Sequence, residues 1–228
     1  MLTKRLKAVA DLVPKGARVA DVGTDHAYLP IYLMEQGIAR SCIATDIHKG
    51  PLEAAKGNIA AAGVSGIETR LCDGVCALSP DEADTVVIAG MGGDTAAHIV
   101  SEAPWLKDPD KLLIIQPMSS ADSVRIYLAE NGFEVLTESC VCEGERVYSV
   151  MTARFCGKCR ILSYYEAAVG MTDKNPREAE YKYLSAVYNS LCKKAESIKG
   201  IERMAQEYEK TNRAAERLKS VLGEKYAL

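Results

Sequence analysis

The stretch Val19-Ala20-Asp21-Val22-Gly23-Thr24-Asp25-His26-Ala27-Tyr28-Leu29 constrains this chain more than any other part of it. Residues 18–22 read as a short apolar strand running into an acid and a glycine. A sharp turn follows, and a helix begins at about Ala27. A strand that delivers a small-residue turn to a helix N-terminus makes a nucleotide cradle. The glycine lets backbone approach a ligand, and the free N–H groups of the helix point at it. The next strand, Ile43-Ala44-Thr45, ends in Asp46, 23 residues after Gly23, where an acid would grip ribose hydroxyls. A dinucleotide fingerprint asks for G-x-G-x-x-G, whereas this chain offers G-x-D-x-A. Asp25 would repel a pyrophosphate, so the pattern suits a ligand with a ribose and no phosphate. S-adenosylmethionine is the common ligand of that kind; an ordinary α/β turn is the alternative.

Strand and helix signals then alternate. Thr3 can cap a first helix with Leu6, Val9, Ala10 and Val13 on one stripe, closed by Pro14-Lys15-Gly16. Strands are expected at 18–22, about 41–45, about 67–71, 85–89 and 112–116, the last stopped by Pro117. Helices are expected at 27–36, 50–62, about 94–102 and 120–130. Residues 133–142 and 146–155 read as a hairpin around Glu143-Gly144-Glu145. Near-continuous apolar strands with helical crossovers mean a parallel sheet covered on both faces. The fold class is therefore α/β: a Rossmann-like sheet of five parallel strands closed by an antiparallel hairpin. That closing hairpin is the layout of the class I methyltransferases, which resemble this chain; a plain dehydrogenase usually keeps a parallel sixth strand.

The pattern changes after Cys159. Residues 160–175 show no period and read as a connector between the sheet domain, 1–159, and a helical arm, 176–228. Tyr183, Leu184, Val187, Leu191, Ala195 and Ile198 form one apolar stripe, and Ile201, Met204, Tyr208, Ala215, Leu218, Val221 and Leu222 a second. With Gly200 between them they predict a two-helix, coiled-coil-like hairpin; one bent helix is the alternative. The chain has a formal net charge of −3, but residues 160–228 carry 13 Lys and Arg against 10 Asp and Glu, and the rest 15 against 21. A mildly basic arm on an acidic body hints at an anionic partner for the arm.

Length and composition exclude other classes. No stretch of 18 apolar residues and no basic segment followed by an apolar one is present, so neither a membrane span nor an export signal is expected. Eight cysteines without an export signal do not suggest a disulfide framework. Cys140-x-Cys142 and Cys156-x-x-Cys159 invite a zinc reading. In the expected hairpin, however, one pair lies near the turn and the other near the open end, about 20 Å apart, while zinc–sulfur bonds are about 2.3 Å. No metal is expected, and His26 lacks partner ligands.

The carboxyl ends of the first four strands present Asp21, Gly23 and Asp25; Asp46; Asp73 and Gly74; and Gly90-Met91-Gly92-Gly93. In a doubly wound sheet these ends face one crevice. Carboxylates there accept from an ammonium, ribose hydroxyls and an adenine amino group. Thr24, His26, Ile47, Gly90 and Met91 complete the expected cofactor contacts, and Tyr28 is placed to stack on a base. Enzymes that methylate exocyclic amines carry Asn/Asp-Pro-Pro-aromatic where this chain has Gly90-Met91-Gly92-Gly93, which leaves ring nitrogens, oxygens or carbons as targets. No Pro-Cys pair supplies a nucleophile for covalent pyrimidine methylation.

Lys4-Arg5-Leu6, the run from Val19 to Pro30, Cys72-Asp73-Gly74, Ile88-Ala89-Gly90-Met91-Gly92-Gly93 and Ile115-Gln116-Pro117 closely resemble the bacterial tRNA (adenine(22)-N1)-methyltransferase family. The resemblance covers residues 1–155 by motif and the arm by pattern. It implies S-adenosylmethionine as cofactor and methyl transfer to N1 of an adenine in the D-arm region of tRNA. It also implies that Asp21, Gly23 and Asp46 hold the cofactor, that Asp73 sits between cofactor adenine and catalysis, and that Arg5 reaches the target pocket. Asp73 and Arg5 are thus the expected catalytic residues. Arg5, Tyr28, Gly92, Gly93, Lys193 and Lys194 are the expected tRNA contacts, with Lys199, Arg203, Arg213 and Arg217 along the arm. A cytoplasmic monomer or weak dimer is expected. Methylation of a small molecule or rRNA, a non-catalytic cofactor sensor and an NAD-dependent oxidoreductase are the rival readings.

Overall fold

The computed structural model describes residues 2–226; Met1 and residues 227–228, the outer ends of the expected domain and arm, lie outside the described residues. In chain order the elements are α1 (Lys4–Ala10), β1 (Ala17–Val22), α2 (Tyr28–Glu35), β2 (Ala39–Asp46), α3 (Lys49–Ala62), β3 (Ile67–Leu71), β4 (Thr85–Gly92), α4 (Gly93–Ser101), β5 (Leu112–Ser119), α5 (Ala121–Glu130), β6 (Phe133–Glu143), β7 (Arg146–Phe155), α6 (Tyr164–Val169), α7 (Glu178–Ile198) and α8 (Ala205–Tyr226). One seven-stranded sheet has the order β3-β2-β1-β4-β5-β7-β6. The first five strands are parallel, and β7 pairs antiparallel with both β5 and β6. The order reverses between β1 and β4, so the crevice outside their carboxyl ends is the switch point where such sheets bind ligands.

Alternation along the central strands divides the core into two layers. Val86, Ile88, Leu113 and Ile115 face one side and pack with Ala96, Ile99 and Val100 of α4 and Val124 and Leu128 of α5. Val87 and Ile114 face the other side with Val9 and Ala10 of α1 and Leu29 and Leu33 of α2. Both faces being covered is why these strands read as unbroken apolar runs. The strand β5 continues through Pro117 rather than stopping there. Proline is tolerated because its partner on β4 is Met91, where the register shifts and the ladder is already irregular.

The stretch 160–175 is not a bare connector. Ser163 accepts from the Glu166 backbone N–H, and Glu166 accepts from that of Ser163, a capping box that starts α6. Tyr165 and Val169 of α6 are buried with Leu184 and Leu191 of α7 and Ala214, Ala215, Leu218 and Leu222 of α8. The arm is a two-helix hairpin, with Gly200 at positive φ in the break between α7 and α8.

The arm is fastened to the sheet around a buried ion pair between α5 and β6. Arg125 of α5 and Glu138 of β6 have side chains 2% and 0% exposed. Arg125 Nε and Nη2 donate to Glu138 Oε1 at 3.1 and 2.6 Å, and Nη2 also donates to Tyr183 Oη at 2.9 Å. Nη1 donates to the carbonyls of Ala167 and Ala168. All five guanidinium N–H groups are thereby used. Glu138 Oε2 accepts from the Met171 N–H, and Glu180 Oε1 of α7 accepts from the Cys140 N–H.

Candidate active site

The loop after β1 is held in a shape that few sequences adopt. Gly23 has φ +69, and His26 and Ala27 are also left-handed, with φ 64 and 55. Side chains other than glycine rarely take that region, and such residues collect at functional loops. The loop is pinned from two sides: the Thr24 N–H donates to the Thr45 carbonyl, and Asn58 Nδ2 of α3 donates to the His26 carbonyl. A Cβ on Gly23 would lie 2.0 Å from Met91 Cε, so the thioether from the end of β4 lies directly over the glycine. His26 stacks on Tyr28 with ring centroids 5.4 Å apart, and its Nε2 is 3.2 Å from Asp25 Oδ1. Tyr28 is 54% exposed, and its ring is available to a ligand.

The acids differ in setting. Asp21 is buried, and burial pushes its carboxyl up to about 6; Thr24 beside it pulls the other way. Among the described residues no cation pairs with Asp21, and Thr24 Oγ1 is buried without a partner of good hydrogen-bond geometry. Asp46 Oδ1 accepts from the His48 N–H at 2.7 Å, which fixes the carboxylate at the tip of β2 and leaves its second oxygen to a ligand. Ile47, 59% exposed, follows it as an apolar surface. Asp73 is exposed in the turn after β3. That turn is held by Thr45 Oγ1 donating to the Gly74 carbonyl and by the Cys76 N–H donating to the Asp73 carbonyl. A buried carboxylate with no cation beside it, the Thr24 hydroxyl next to it, a glycine cradle and an acid at the β2 tip form a set suited to a cationic amino-acid group joined to a ribose.

On the other side of the crevice, Arg5 of α1 reaches the end of β4. Its Nη1 donates to Gln116 Oε1 at 2.6 Å, its backbone N–H to Glu143 Oε1, and its Nε lies 3.8 Å from Glu143 Oε2. Gly90 has φ +83, and a Cβ there would be 3.5 Å from Arg5 Nη1. Sequence reasoning gave no role to Gln116 or Glu143. The signal was a glutamine closing the apolar run of β5, since a buried polar side chain is the informative kind.

Two expected substrate contacts are placed differently. Gly93 is buried, and a Cβ on it would lie 1.9 Å from the Ser120 carbonyl oxygen, so this glycine permits the close packing of α4 on the loop after β5. Lys194 is engaged within the arm, its Nζ donating to Glu207 Oε1 at 2.6 Å and to Tyr164 Oη at 2.9 Å. Arg213 pairs with Glu209, Lys199 lies near Glu196, and Arg217 lies over the Tyr165 ring. Lys193 is exposed on α7. Gly92 lies at the β4 tip, opposite Ser119. The eight cysteines are free, with Cys140 and Cys142 near the hairpin turn and Cys156 and Cys159 beyond its open end. Among the described residues no group of three or more His, Cys, Asp or Glu is arranged to hold a metal, and no helix is long and apolar enough to cross a membrane.

Residues 2–151 match the family model described as a methyltransferase domain. The tRNA (adenine(22)-N(1))-methyltransferase of Bacillus subtilis is 37% identical over 153 residues, which are 67% of this chain and 64% of that protein. The crystal structure of the B. subtilis m1A22 tRNA methyltransferase TrmK superposes with a TM-score of 0.87 at 31% identity, over 98% of this chain and 99% of that one. The chain belongs to the tRNA (adenine(22)-N1)-methyltransferase family. A further member, TrmK of M. capricolum, solved with S-adenosyl-homocysteine, has a TM-score of 0.82 at 26% identity over 98% of this chain and all of that one. The family model thus covers residues 2–151, and structural superposition extends the likeness over 98% of the chain, helical arm included.

Proposed function

We propose that this protein transfers a methyl group from S-adenosylmethionine to N1 of an adenine in the D-arm region of tRNA. The observation that carries the reading is the crevice itself, where an unpaired buried Asp21 and a left-handed Gly23 stand beside Asp46, opposite an arginine held at the tip of β4. When bound, the cofactor supplies an electrophilic methyl carbon. The chain's own residues do the rest. Asp21 in its ionised form would hold the ammonium, Asp46 the ribose hydroxyls, and Ile47 would flank the cofactor adenine. Gly90, Met91 and Gly92 line the approach of the target base, with Tyr28 as a stacking surface.

N1 of adenine carries its own lone pair, so no proton need leave before attack. The protein must strip water from N1, hold it roughly 3 Å from the methyl carbon and stabilise the cation that forms. Asp73, exposed on the crevice side of the sheet, is the carboxylate suited to the last task. N1 of a base-paired adenine is covered, so the base must leave its pair to enter the crevice. Lys193, exposed on α7, would contact the phosphate backbone of the tRNA body. Incubation with labelled S-adenosylmethionine is expected to label tRNA and not rRNA or free adenosine. The Asp73→Ala variant is expected to keep cofactor binding and lose transfer; transfer at the wild-type rate by that variant would remove Asp73 from the mechanism.

A further inference from the structure

Gln116 is fully buried in β5, directly after the apolar run Leu112–Ile115. Its Oε1 accepts from two donors, Arg5 Nη1 at 2.6 Å and the Gly90 N–H at 3.2 Å. Its Nε2 donates to the Pro117 carbonyl at 2.9 Å and lies 3.8 Å from Met118 Sδ. Two donors on one side and a carbonyl on the other leave the amide a single orientation. The acceptor is also neutral. A carboxylate at this place would cancel the guanidinium charge at close range, whereas an amide fixes it and leaves only the more distant Glu143 carboxylate opposing it. Glu143 supplies a second, looser hold at 3.8 Å. Among the described residues Arg5 Nη1 bonds Gln116 while Nη2 makes no hydrogen bond, so this arginine is not saturated by the protein as Arg125 is.

The product of N1 methylation is a cation. A guanidinium beside N1 would oppose its formation, so the free N–H groups of Arg5 suit an anion near the target base rather than N1 itself. We propose that Gln116 is a positioning residue, whose buried amide holds the Arg5 guanidinium on Gly90 at the crevice rim to bind a backbone phosphate next to the methylated nucleotide. The proposal rests on the tRNA methyltransferase reading above and keeps Arg5 as a substrate contact while taking it out of the chemistry.

The test is a double-mutant cycle of Gln116→Leu and Arg5→Ala, measured as tRNA KM, kcat, the salt dependence of tRNA binding and calorimetric affinity for S-adenosylmethionine. Each single variant is expected to raise the tRNA KM about tenfold and lower kcat less than threefold. Each should reduce the slope of log affinity against log salt by about one, the signature of one lost phosphate contact. Cofactor affinity should stay within twofold, and the double variant should be no worse than Arg5→Ala alone. Multiplying effects, or an unchanged salt slope in Gln116→Leu, would overturn the proposal. If Gln116→Leu does not fold, Gln116→Met, unbranched and of equal length, enters the same cycle. Wild-type protein that transfers no methyl to tRNA would instead overturn the underlying reading, so the two failures are distinct.

Discussion

Replacing Asp21 with Asn should make the cofactor-free protein more stable and the cofactor-bound protein weaker. Burial raises the Asp21 carboxyl from 3.8 to about 6 with no cation beside it. The folded protein therefore holds this proton more tightly than the unfolded chain. The contribution of Asp21 to stability is greatest below pH 4, falls as pH rises to about 6, and is level above that. A shift of about two units corresponds to about 3 kcal/mol at 1.36 kcal/mol per unit. For a chain of this size each kcal/mol moves Tm by about 2–4 °C. An amide avoids the buried charge but still loses water, at about 1–3 kcal/mol if unpaired. The net expectation for Asp21→Asn at pH 8 is a gain of up to about 2 kcal/mol, a rise in Tm of up to about 8 °C without cofactor. The variant should also lose the decline in Tm between pH 4 and 6. Its affinity for S-adenosylmethionine should fall at least tenfold, because the ammonium selects the ionised carboxylate; in wild type, cofactor binding should strengthen as pH rises through about 6. Thermal melts across pH 4–8 and calorimetry with the cofactor measure all three. A Tm that drops in Asp21→Asn at pH 8, together with unchanged cofactor affinity, would refute the reasoning.

Gly23→Ala must place a side chain at φ +69 and displace Met91, so it is expected to cost about 1–2 kcal/mol of backbone strain and to weaken cofactor binding, read by melts and calorimetry. Arg125→Met leaves Glu138 buried without its partner and should destabilise the protein by about 3–5 kcal/mol, measured by urea unfolding; Arg125→Met with Glu138→Leu should recover much of that loss. Lys193→Ala should lower tRNA affinity and the salt slope of binding, whereas Lys194→Ala, removing a cation already paired with Glu207, should change them less; equal effects in gel-shift titrations would show that the pair opens to meet RNA.

The order of strands and the acids at their tips were legible because both rest on local pattern. Apolar runs marked β1, β2, β4 and β5; Asp21 and Asp46 fall near the ends of the first two, and Asp73 in the turn after β3. What was not legible is what depends on partners distant in sequence. Arg125 and Glu138 look like ordinary surface charges on a helix and a strand until the arm covers them, and Lys194 looks free until Glu207 is brought to it. The α6 helix has six residues, too few for a period to show, although Ser163 and Glu166 carry the spacing of a capping box. Pro117 was read as a stop because the register shift that accommodates it lies in the neighbouring strand. Gly93 shows only as one of a run of glycines, and its reason for being glycine is a carbonyl 27 residues away. Asp25 was informative at the sequence level because it stands where a pyrophosphate-binding loop keeps glycine.

The most direct test of the central claim is to map methylated adenosine by mass in tRNA incubated with the protein and S-adenosylmethionine. The account predicts N1-methyladenosine at position 22, and no transfer to the same tRNA carrying guanine there. Methyl on the exocyclic amine, at another position, or on no tRNA at all would contradict it.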